Sequence, residues 1–129
     1  MKQAIESQQA PQAVGPYSQA IDTGNIVFLS GQLGLDRQTG HLQNGLEAQT
    51  QQAFANISHV LAELNLNLDH VVKVLVFLAD IEDFAKVNEI YATQFSEPYP
   101  ARSAVAVKNL PLGGLVEIEV IAVKNALEN

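Results

Sequence analysis

The sequence contains no cysteine and no tryptophan among its 129 residues. The absence of cysteine excludes disulfide frameworks, thiol catalysis, iron–sulfur clusters and cysteine-ligated zinc sites. Positive charge is also scarce, with 7 Lys and Arg residues against 14 Asp and Glu residues and a formal net charge of −7. Because binding to a phosphate backbone normally needs a basic patch, this composition argues against a general nucleic-acid-binding protein.

Long hydrophobic runs are missing as well. The longest apolar stretches are short pieces such as 74–79, far below the ~20 residues of a membrane helix. The first residues lack the apolar core of a secretory signal and do not resemble a transit peptide. We therefore expect a cytoplasmic protein without a membrane span. With 47% hydrophobic and 16% charged residues and no repeat or linker, 1–129 is predicted to form a single globular domain.

The first half of the chain is predicted to contain a β-hairpin followed by a helix. Two β-rich stretches, 17–21 and 26–35, are separated by turn residues and are predicted to pair. Apolar residues recur at helical spacing over 46–64. Asn44 is predicted to cap this helix, and Asn65 is suited to a left-handed residue at its end.

The second half is predicted to add a strand, a helix and two further strands. The strand at 71–79 is followed by Asp80, a suitable N-cap for the second helix, which the prolines at 98 and 100 end. The last two strands are predicted at 102–108 and 116–124, on either side of a loop rich in glycine and proline.

This β-β-α-β-α-β-β order, with an extra strand near 2–5, predicts an α/β (α+β) fold. Two helices are expected to cover one face of a mixed β-sheet in a two-layer sandwich. Strand 71–79 is apolar on both sides, and 116–124 has apolar residues on both faces. Because the chain has no other element to cover the second face, we predict an obligate homo-oligomer whose symmetry this reasoning does not determine.

Arg102 is the unusual one of the two arginines, since Arg37 falls in a turn whereas Arg102 begins an apolar strand. Burying an unpaired guanidinium costs several kcal/mol, so Arg102 needs a carboxylate or a similar partner. That partner is either a Glu of the protein, for example in a salt bridge at a subunit interface, or a bound ligand. The sequence leaves both readings open.

Glu117 and Glu119 lie on one face of the last strand, the face predicted to be buried by self-association. Desolvation raises the pKa of a carboxyl toward the range that suits acid–base catalysis, whereas a nearby arginine lowers it. We interpret Glu119 as an interface ion pair. For Glu117, an ion pair and a catalytic role both stay open.

Three further positions are polar or glycine within otherwise apolar surroundings. Asn88 interrupts the apolar face of the second helix, where a buried amide needs partners. Tyr17 follows a stiff Gly-Pro turn, and its hydroxyl either packs or donates to a ligand. Gly31 inside a strand indicates a bulge or a close backbone approach.

The three histidines, at positions 41, 59 and 70, show no ligand spacing, and no glycine-rich phosphate loop is present. We therefore expect no bound metal, no Ser-His-Asp triad and no nucleotide cofactor.

Several motifs spread over the chain are similar to those of one family. The sequence resembles the RidA (YjgF, reactive intermediate deaminase A) family essentially from end to end. This resemblance implies a chorismate-mutase-like fold assembled as a homotrimer, with sheets lining a central barrel and three ligand clefts between subunits. The motifs are Gly15–Ala20, Leu29–Gln32, Ala53–Ile57, Val87–Tyr91, Pro100–Ser103, Leu110–Pro111 and Val116–Glu119.

The resemblance also implies an activity, the hydrolysis of 2-imino acids to 2-oxo acids and ammonia without a cofactor. The substrates would be 2-aminoacrylate and 2-aminocrotonate or their imine tautomers, 2-iminopropanoate and 2-iminobutanoate. By motif position, Arg102 would bind the substrate carboxylate, Glu117 would activate water, and Tyr17 would hydrogen-bond near the reacting nitrogen or the water. The other implied cleft residues are Ser30, Gly31, Asn88, Tyr91 and Ala104.

Ala104 departs from the family pattern, since many relatives have cysteine there. A mechanism based on water and Glu117 needs no thiol, so we keep the enzyme interpretation. The alternatives are a binding or regulatory module for small carboxylates such as 2-oxo acids, and an endoribonuclease or translation inhibitor, which the −7 charge opposes. A chaperone-like role would leave no mark in the sequence.

Overall fold

The computed structural model describes residues 1–128, which form one seven-stranded sheet and two α-helices. Short 3₁₀ turns precede β5 and α2 and follow β6. The elements are β1 (Gln3–Ile5), β2 (Ala20–Asp22), β3 (Ile26–Leu29), β4 (Gln32–Leu33), α1 (Leu46–Ala62), β5 (Val71–Leu78), α2 (Phe84–Gln94), β6 (Ala101–Ala106) and β7 (Val116–Val123).

The sheet is mixed, and its strand order is β1-β2-β3-β7-β5-β6, with β4 paired to β7. Only β5 and β6 run parallel, joined by α2, while the other paired strands are antiparallel. The helices cover the sheet face that carries Val116, Ile118 and Val120, each at most 1% exposed. The predicted two-layer α+β fold is confirmed.

The N-terminal strands differ from the predicted hairpin. The extra strand near 2–5 is confirmed as β1. The second strand begins at Ala20 instead of 17, since a tight turn at Gly15, with φ 125, precedes it. The predicted strand 26–35 breaks after Leu29, where the Ser30 amide donates to the Gln19 carbonyl, and β4 then pairs with β7.

The helix ends confirm the left-handed residue predicted at Asn65 and correct the two predicted N-caps, since α2 begins at Phe84 with Asp83 as its N-cap residue. Asn44 does not cap α1, because Gly45, with φ 88, is the N-cap residue and no side chain caps this end. Asn65 is left-handed with φ 59, as predicted. Asp80 accepts a hydrogen bond from the Glu82 amide at 2.9 Å and thereby caps the 3₁₀ turn that leads into α2.

Strand β6 lies at the edge of the sheet, which corrects the environment predicted for Arg102. The strand spans Ala101–Ala106 instead of 102–108, and most of its residues are exposed. Because β6 pairs only with β5, Arg102 enters an exposed edge strand and not an apolar interior.

The face of the sheet opposite the helices, here called the open face, carries apolar side chains that one chain leaves partly exposed. Phe28 is 47% exposed and Val105 is 48% exposed, while Leu75 and Phe77 of β5 are half-buried. This pattern agrees with the expectation that a second element must cover the open face. Homo-oligomerisation itself stays a prediction.

Buried amides of α1 position the segment that follows β3. Asn56 is fully buried and donates to the carbonyl oxygens of Leu33 and Leu35 at 3.1 and 2.9 Å. Gln49 accepts a hydrogen bond from the Leu115 amide at 2.9 Å. These contacts fix β4 and the start of β7 relative to α1 and thereby set the walls beside Glu117.

Candidate active site

The side chain of Arg102 lies against α2. Arg102 is paired with Val74 of β5 and therefore points to the helix-covered face of the sheet. Its Nη1 donates to Asn88 Oδ1 at 2.6 Å, and its guanidinium carbon lies 4.6 Å from the ring centre of Tyr91 and 5.3 Å from that of Phe84. No ion pair of Arg102 occurs within residues 1–128. Its partners in one chain are thus an amide and two aromatic rings.

A cavity of 350 Å³ adjoins Arg102 and is also lined by Asn88, Tyr91 and Tyr99. Tyr91 is 5% exposed, and its buried hydroxyl has no hydrogen-bond partner among the described residues. Burial raises the pKa of the Tyr91 hydroxyl, although the Arg102 charge opposes part of that rise, so the group stays protonated at neutral pH. A guanidinium beside hydrogen-bond donors suits an anionic ligand such as a carboxylate.

Glu117 lies on the open face, paired with Phe77 of β5 and Leu33 of β4. Burial raises the pKa of the Glu117 carboxyl, and the charge of the neighbouring Glu119 raises it further by a smaller amount. Gly31 packs directly on this carboxyl, since a Cβ at Gly31 would lie 2.9 Å from Glu117 Oε2. The predicted close backbone approach at Gly31 is confirmed, and any larger residue there would displace the Glu117 side chain.

A cleft of 290 Å³ brings Tyr17, Gly31 and Glu117 together. Its rim is apolar and exposed, with Val14 at 78% and Leu112 at 71% exposure. Sequence reasoning missed these two rim residues because they come from loops distant in the chain. The one local signal was the Pro-Leu-Gly-Gly loop, in which Leu112 adopts a left-handed conformation with φ 59.

Hydrogen bonds hold the Tyr17 segment in place. Gln19, 3% exposed, accepts from the Ser7 amide at 2.6 Å and donates to the Pro11 carbonyl at 2.8 Å. The Ser30 hydroxyl donates to the Ser18 carbonyl at 2.6 Å. Ser30 therefore supports the loop next to the cleft, and its side chain does not line it.

Ala104 lies two residues after Arg102 on the same face of β6 and packs against the core. It lines neither the Arg102 cavity nor the Glu117 cleft. Of the residues implied by the family resemblance, Ser30 and Ala104 are thus the two whose side chains line neither cavity of the single chain.

The structure collects the predicted residues into two groups on opposite faces of the sheet. Arg102 pairs with Val74, which is buried under the helices, whereas Glu117 pairs with Phe77 on the open face. Strand β5 lies between their two strands. Arg102 and Glu117 of one chain therefore do not share a cavity, and sequence spacing gave no means to predict this.

Two kinds of feature are absent from the described residues. Within 1–128, no three His, Asp or Glu side chains lie close enough together to hold a metal ion. In the same part of the chain, no helix has the length and apolar character needed to cross a bilayer.

Comparisons with known proteins identify the family. The family model described as Endoribonuclease L-PSP matches residues 7–124. A 2-iminobutanoate/2-iminopropanoate deaminase from Bos taurus is 43% identical over 128 residues, covering 98% of this chain and 93% of the relative.

Solved structures agree with this match. The crystal structure of RidA from an Antarctic Psychrobacter is 50% identical with a TM-score of 0.91, covering 94% of this chain and 98% of that one. The crystal structure of E. coli TdcF with bound serine is 40% identical with a TM-score of 0.89, covering 94% and 98%. The chain belongs to the endoribonuclease L-PSP family, which is the RidA (YjgF) family that its motifs resemble.

Proposed function

We propose that the protein is a cofactor-independent deaminase that hydrolyses 2-imino acids, such as 2-iminobutanoate and 2-iminopropanoate, to 2-oxo acids and ammonia. The enamines 2-aminocrotonate and 2-aminoacrylate enter the reaction as tautomers of these imines. The observation that carries the proposal is the pair of Arg102, an exposed guanidinium with no ion pair in the described chain, and Glu117, a half-buried carboxyl of raised pKa. The name of the bovine relative supports the same activity.

Arg102 binds the substrate carboxylate in this proposal. One Nη1 hydrogen is donated to Asn88, and a guanidinium has five N–H donors in one plane. The other donors are available for a bidentate contact with a carboxylate, a geometry that lysine does not reproduce. The Asn88 amide and the Tyr91 hydroxyl, in the wall of the same cavity, are additional donors to an anion.

Glu117 acts on the water. The ionised carboxyl accepts a proton as the water oxygen bonds to the imine carbon, and it returns the proton to nitrogen in the resulting carbinolamine. The reacting imine is protonated on nitrogen, and the ionised carboxyl takes the proton of the carbinolamine hydroxyl as the C=O bond forms, the C–N bond breaks and ammonia leaves. Tyr17 hydrogen-bonds near the water or the departing nitrogen from the same cleft. No thiol takes part, which is compatible with Ala104.

The two groups of residues are joined in the assembled protein, a homotrimer by analogy with the family fold. A second copy that packs on the open face covers Phe28 and Val105 and brings its own Arg102 toward Glu117. Each site then combines the Arg102 cavity of one chain with the Glu117 cleft of its neighbour. The separation of these residues on opposite faces of one sheet supports this arrangement.

The direct test couples a pyridoxal-phosphate-dependent threonine dehydratase to trapping of the released imine by semicarbazide. We expect the wild-type protein to suppress the trapped product and the Arg102→Ala variant to lose this effect. Lys86→Ala, which removes an exposed cation from α2, is the matched control and should behave as wild type. A wild-type protein that leaves the trapped product unchanged would contradict the proposal.

A second candidate is a binding module for amino or 2-oxo acids. It is favoured by the anion-binding character of the Arg102 cavity and by the serine bound in E. coli TdcF. Its signature would be tight 2-oxobutanoate binding without any effect on imine trapping. Endoribonuclease activity, named in the family description, is opposed by the net charge of −7.

A further inference from the structure

Three residues on one face of α2 contact the Arg102 side chain. Phe84, Asn88 and Tyr91 follow each other at spacings of four and three residues, so they lie on one face. The two aromatic residues are seven positions apart, which corresponds to about 10.5 Å along the helix axis. The guanidinium carbon lies 5.3 Å from the Phe84 ring centre and 4.6 Å from that of Tyr91. It therefore sits in the gap between the two rings.

This placement leaves most N–H donors of the guanidinium available to a ligand. The N–H donors lie in the plane of the guanidinium, and a cation–π contact requires only that the cation lie over the face of the ring. The two ring contacts therefore restrain the side chain without an acceptor atom that would take one of its N–H groups. Asn88 uses one Nη1 hydrogen and fixes the rotation of the group about its own plane.

The restraint matters because nothing else in the described chain holds Arg102. Strand β6 is an exposed edge, and the ion pairs in 1–128 involve other residues. A free arginine side chain loses much rotamer freedom when it binds a ligand. An arginine already held between two rings has lost that freedom before the ligand arrives.

We propose that Phe84 is a positioning residue for Arg102, forming with Tyr91 a two-ring cradle that presents the guanidinium edge to the substrate carboxylate. The inference rests on the proposed function in so far as Arg102 binds a carboxylate. Phe84 itself touches no substrate in this account. Its ring acts through Arg102 alone, so an aromatic replacement preserves the role and an aliphatic one of similar bulk does not.

The first test measures 2-oxobutanoate binding to the assembled protein by calorimetry. Loss of one cation–π contact predicts that Phe84→Leu raises Kd about two- to fivefold. Phe84→Tyr keeps the aromatic face and should stay within the error of wild type. In the coupled assay, Phe84→Leu should raise KM for the imine and leave kcat unchanged. Equal Kd values for the Leu and Tyr variants would overturn the proposal.

The second test needs no ligand and separates the cradle from the proposed function. In NMR spectra of the free protein, ring currents should shift the Arg102 Nε–Hε signal away from the position of a solvated arginine. Arg102→Lys identifies the signal by its loss. We expect Phe84→Leu to move the signal toward the solvated position and Phe84→Tyr to preserve the shift.

The outcomes of the two tests are distinct. If the wild-type protein neither binds 2-oxobutanoate nor deaminates, the proposed function fails, and a ring-shifted Arg102 signal still supports the cradle. A wild-type signal at the solvated position overturns the cradle, whatever the activity. Should Phe84→Leu fail to assemble, Phe84→Met takes its place, and an Arg102 signal that is the same in Phe84→Met and Phe84→Tyr overturns the role of Phe84.

Discussion

The two arginines of this protein occupy opposite kinds of environment. Arg37 follows β4 and points to the N-terminal segment, where its Nη1 donates to the Ala10 carbonyl at 2.6 Å and to the Ser7 carbonyl at 3.4 Å. Arg102 stands on an exposed edge strand and contacts the side chains of Asn88, Tyr91 and Phe84. The first guanidinium binds backbone carbonyls, and the second lies against two aromatic rings and a side-chain amide.

The difference supports a structural role for Arg37 and the proposed binding role for Arg102. The Ser7 and Ala10 carbonyls, which also accept from Gln19 Nε2, accept from Nη1 of Arg37, so that residue joins two parts of the fold. The rings beside Arg102 restrain the side chain and leave most of its donors open. The immediate partners therefore distinguish the two arginines, although both have the same charge and chemistry.

The largest effect is expected for Arg102→Ala. Loss of two charge-assisted hydrogen bonds to the substrate carboxylate, together about 4 kcal/mol, predicts a fall in kcat/KM of about a thousandfold. The thermal midpoint should stay near wild type because the side chain is exposed. The trapping assay and thermal unfolding check the two parts. A large loss of stability would instead assign Arg102 the structural role of Arg37.

Glu117→Gln is expected to have the next largest effect. Without a general base we expect kcat to fall about a hundredfold, because Gln does not accept the water proton. Binding of 2-oxobutanoate should survive, since Arg102 is unchanged. The coupled assay and calorimetry measure these quantities. Full activity of this variant would remove Glu117 from the mechanism.

Arg37→Met tests the other side of the comparison. The variant keeps the apolar stem but removes the Arg37 hydrogen bonds to the Ser7 and Ala10 carbonyls, which retain Gln19 Nε2 as a donor, so we expect a loss of about 1 kcal/mol in the free energy of unfolding. Urea unfolding measures this loss. Activity per folded molecule should equal that of wild type, and a selective loss of activity at full stability would contradict the structural assignment.

Glu119→Gln is expected to have a small but directional effect. Glu117 must be ionised to act as a base, so the rate falls as pH drops through its pKa, which burial and Glu119 raise above the ordinary 4.5. Removing the Glu119 charge lowers that pKa and moves the acid limb of the pH–rate profile to lower pH.

The same raised pKa has a consequence for stability. Because the folded state favours the neutral carboxyl, Glu117 ionisation destabilises it as pH rises from the ordinary 4.5 through the raised pKa. The pH–rate profile of Glu119→Gln measures the effect of the Glu119 charge on the pKa of Glu117. An acid limb that stays in place or moves to higher pH would show that Glu119 does not act on Glu117.

Much of the fold could be predicted because it follows from local periodicity. The pattern of 46–64 predicts α1, and the apolar run 71–79 predicts β5, which the structure bounds at Val71–Leu78. The break after Leu29 is the irregularity that Gly31 indicates, since four residues separate Phe28 from Gln32 while three separate their β7 partners, but residue spacing does not give this register. The cap of α1 was assigned to Asn44 because the positive φ of Gly45 is a backbone property that composition does not reveal.

The residues of the candidate site can be predicted from the sequence, but their arrangement in space cannot. Gly31 was recognised as a close approach, and Arg102 and Glu117 were chosen by their chemistry and family motifs. Their placement on opposite faces depends on the register of β5 with β6 and β7, which residue spacing does not encode. Phe84 is not recognisable as a site residue from the sequence, because an aromatic residue on an apolar helix face is interpreted as part of the hydrophobic core.

In the proposed function, two chains build each site. Co-expression of Arg102→Ala and Glu117→Gln chains in equal amounts tests it directly, since neither parent contains an intact pair. If Arg102 of one chain works with Glu117 of its neighbour, about one quarter of the sites in mixed oligomers are complete, and about a quarter of wild-type activity should return. A mixture as inactive as either parent, with wild-type assembly, would contradict the shared site.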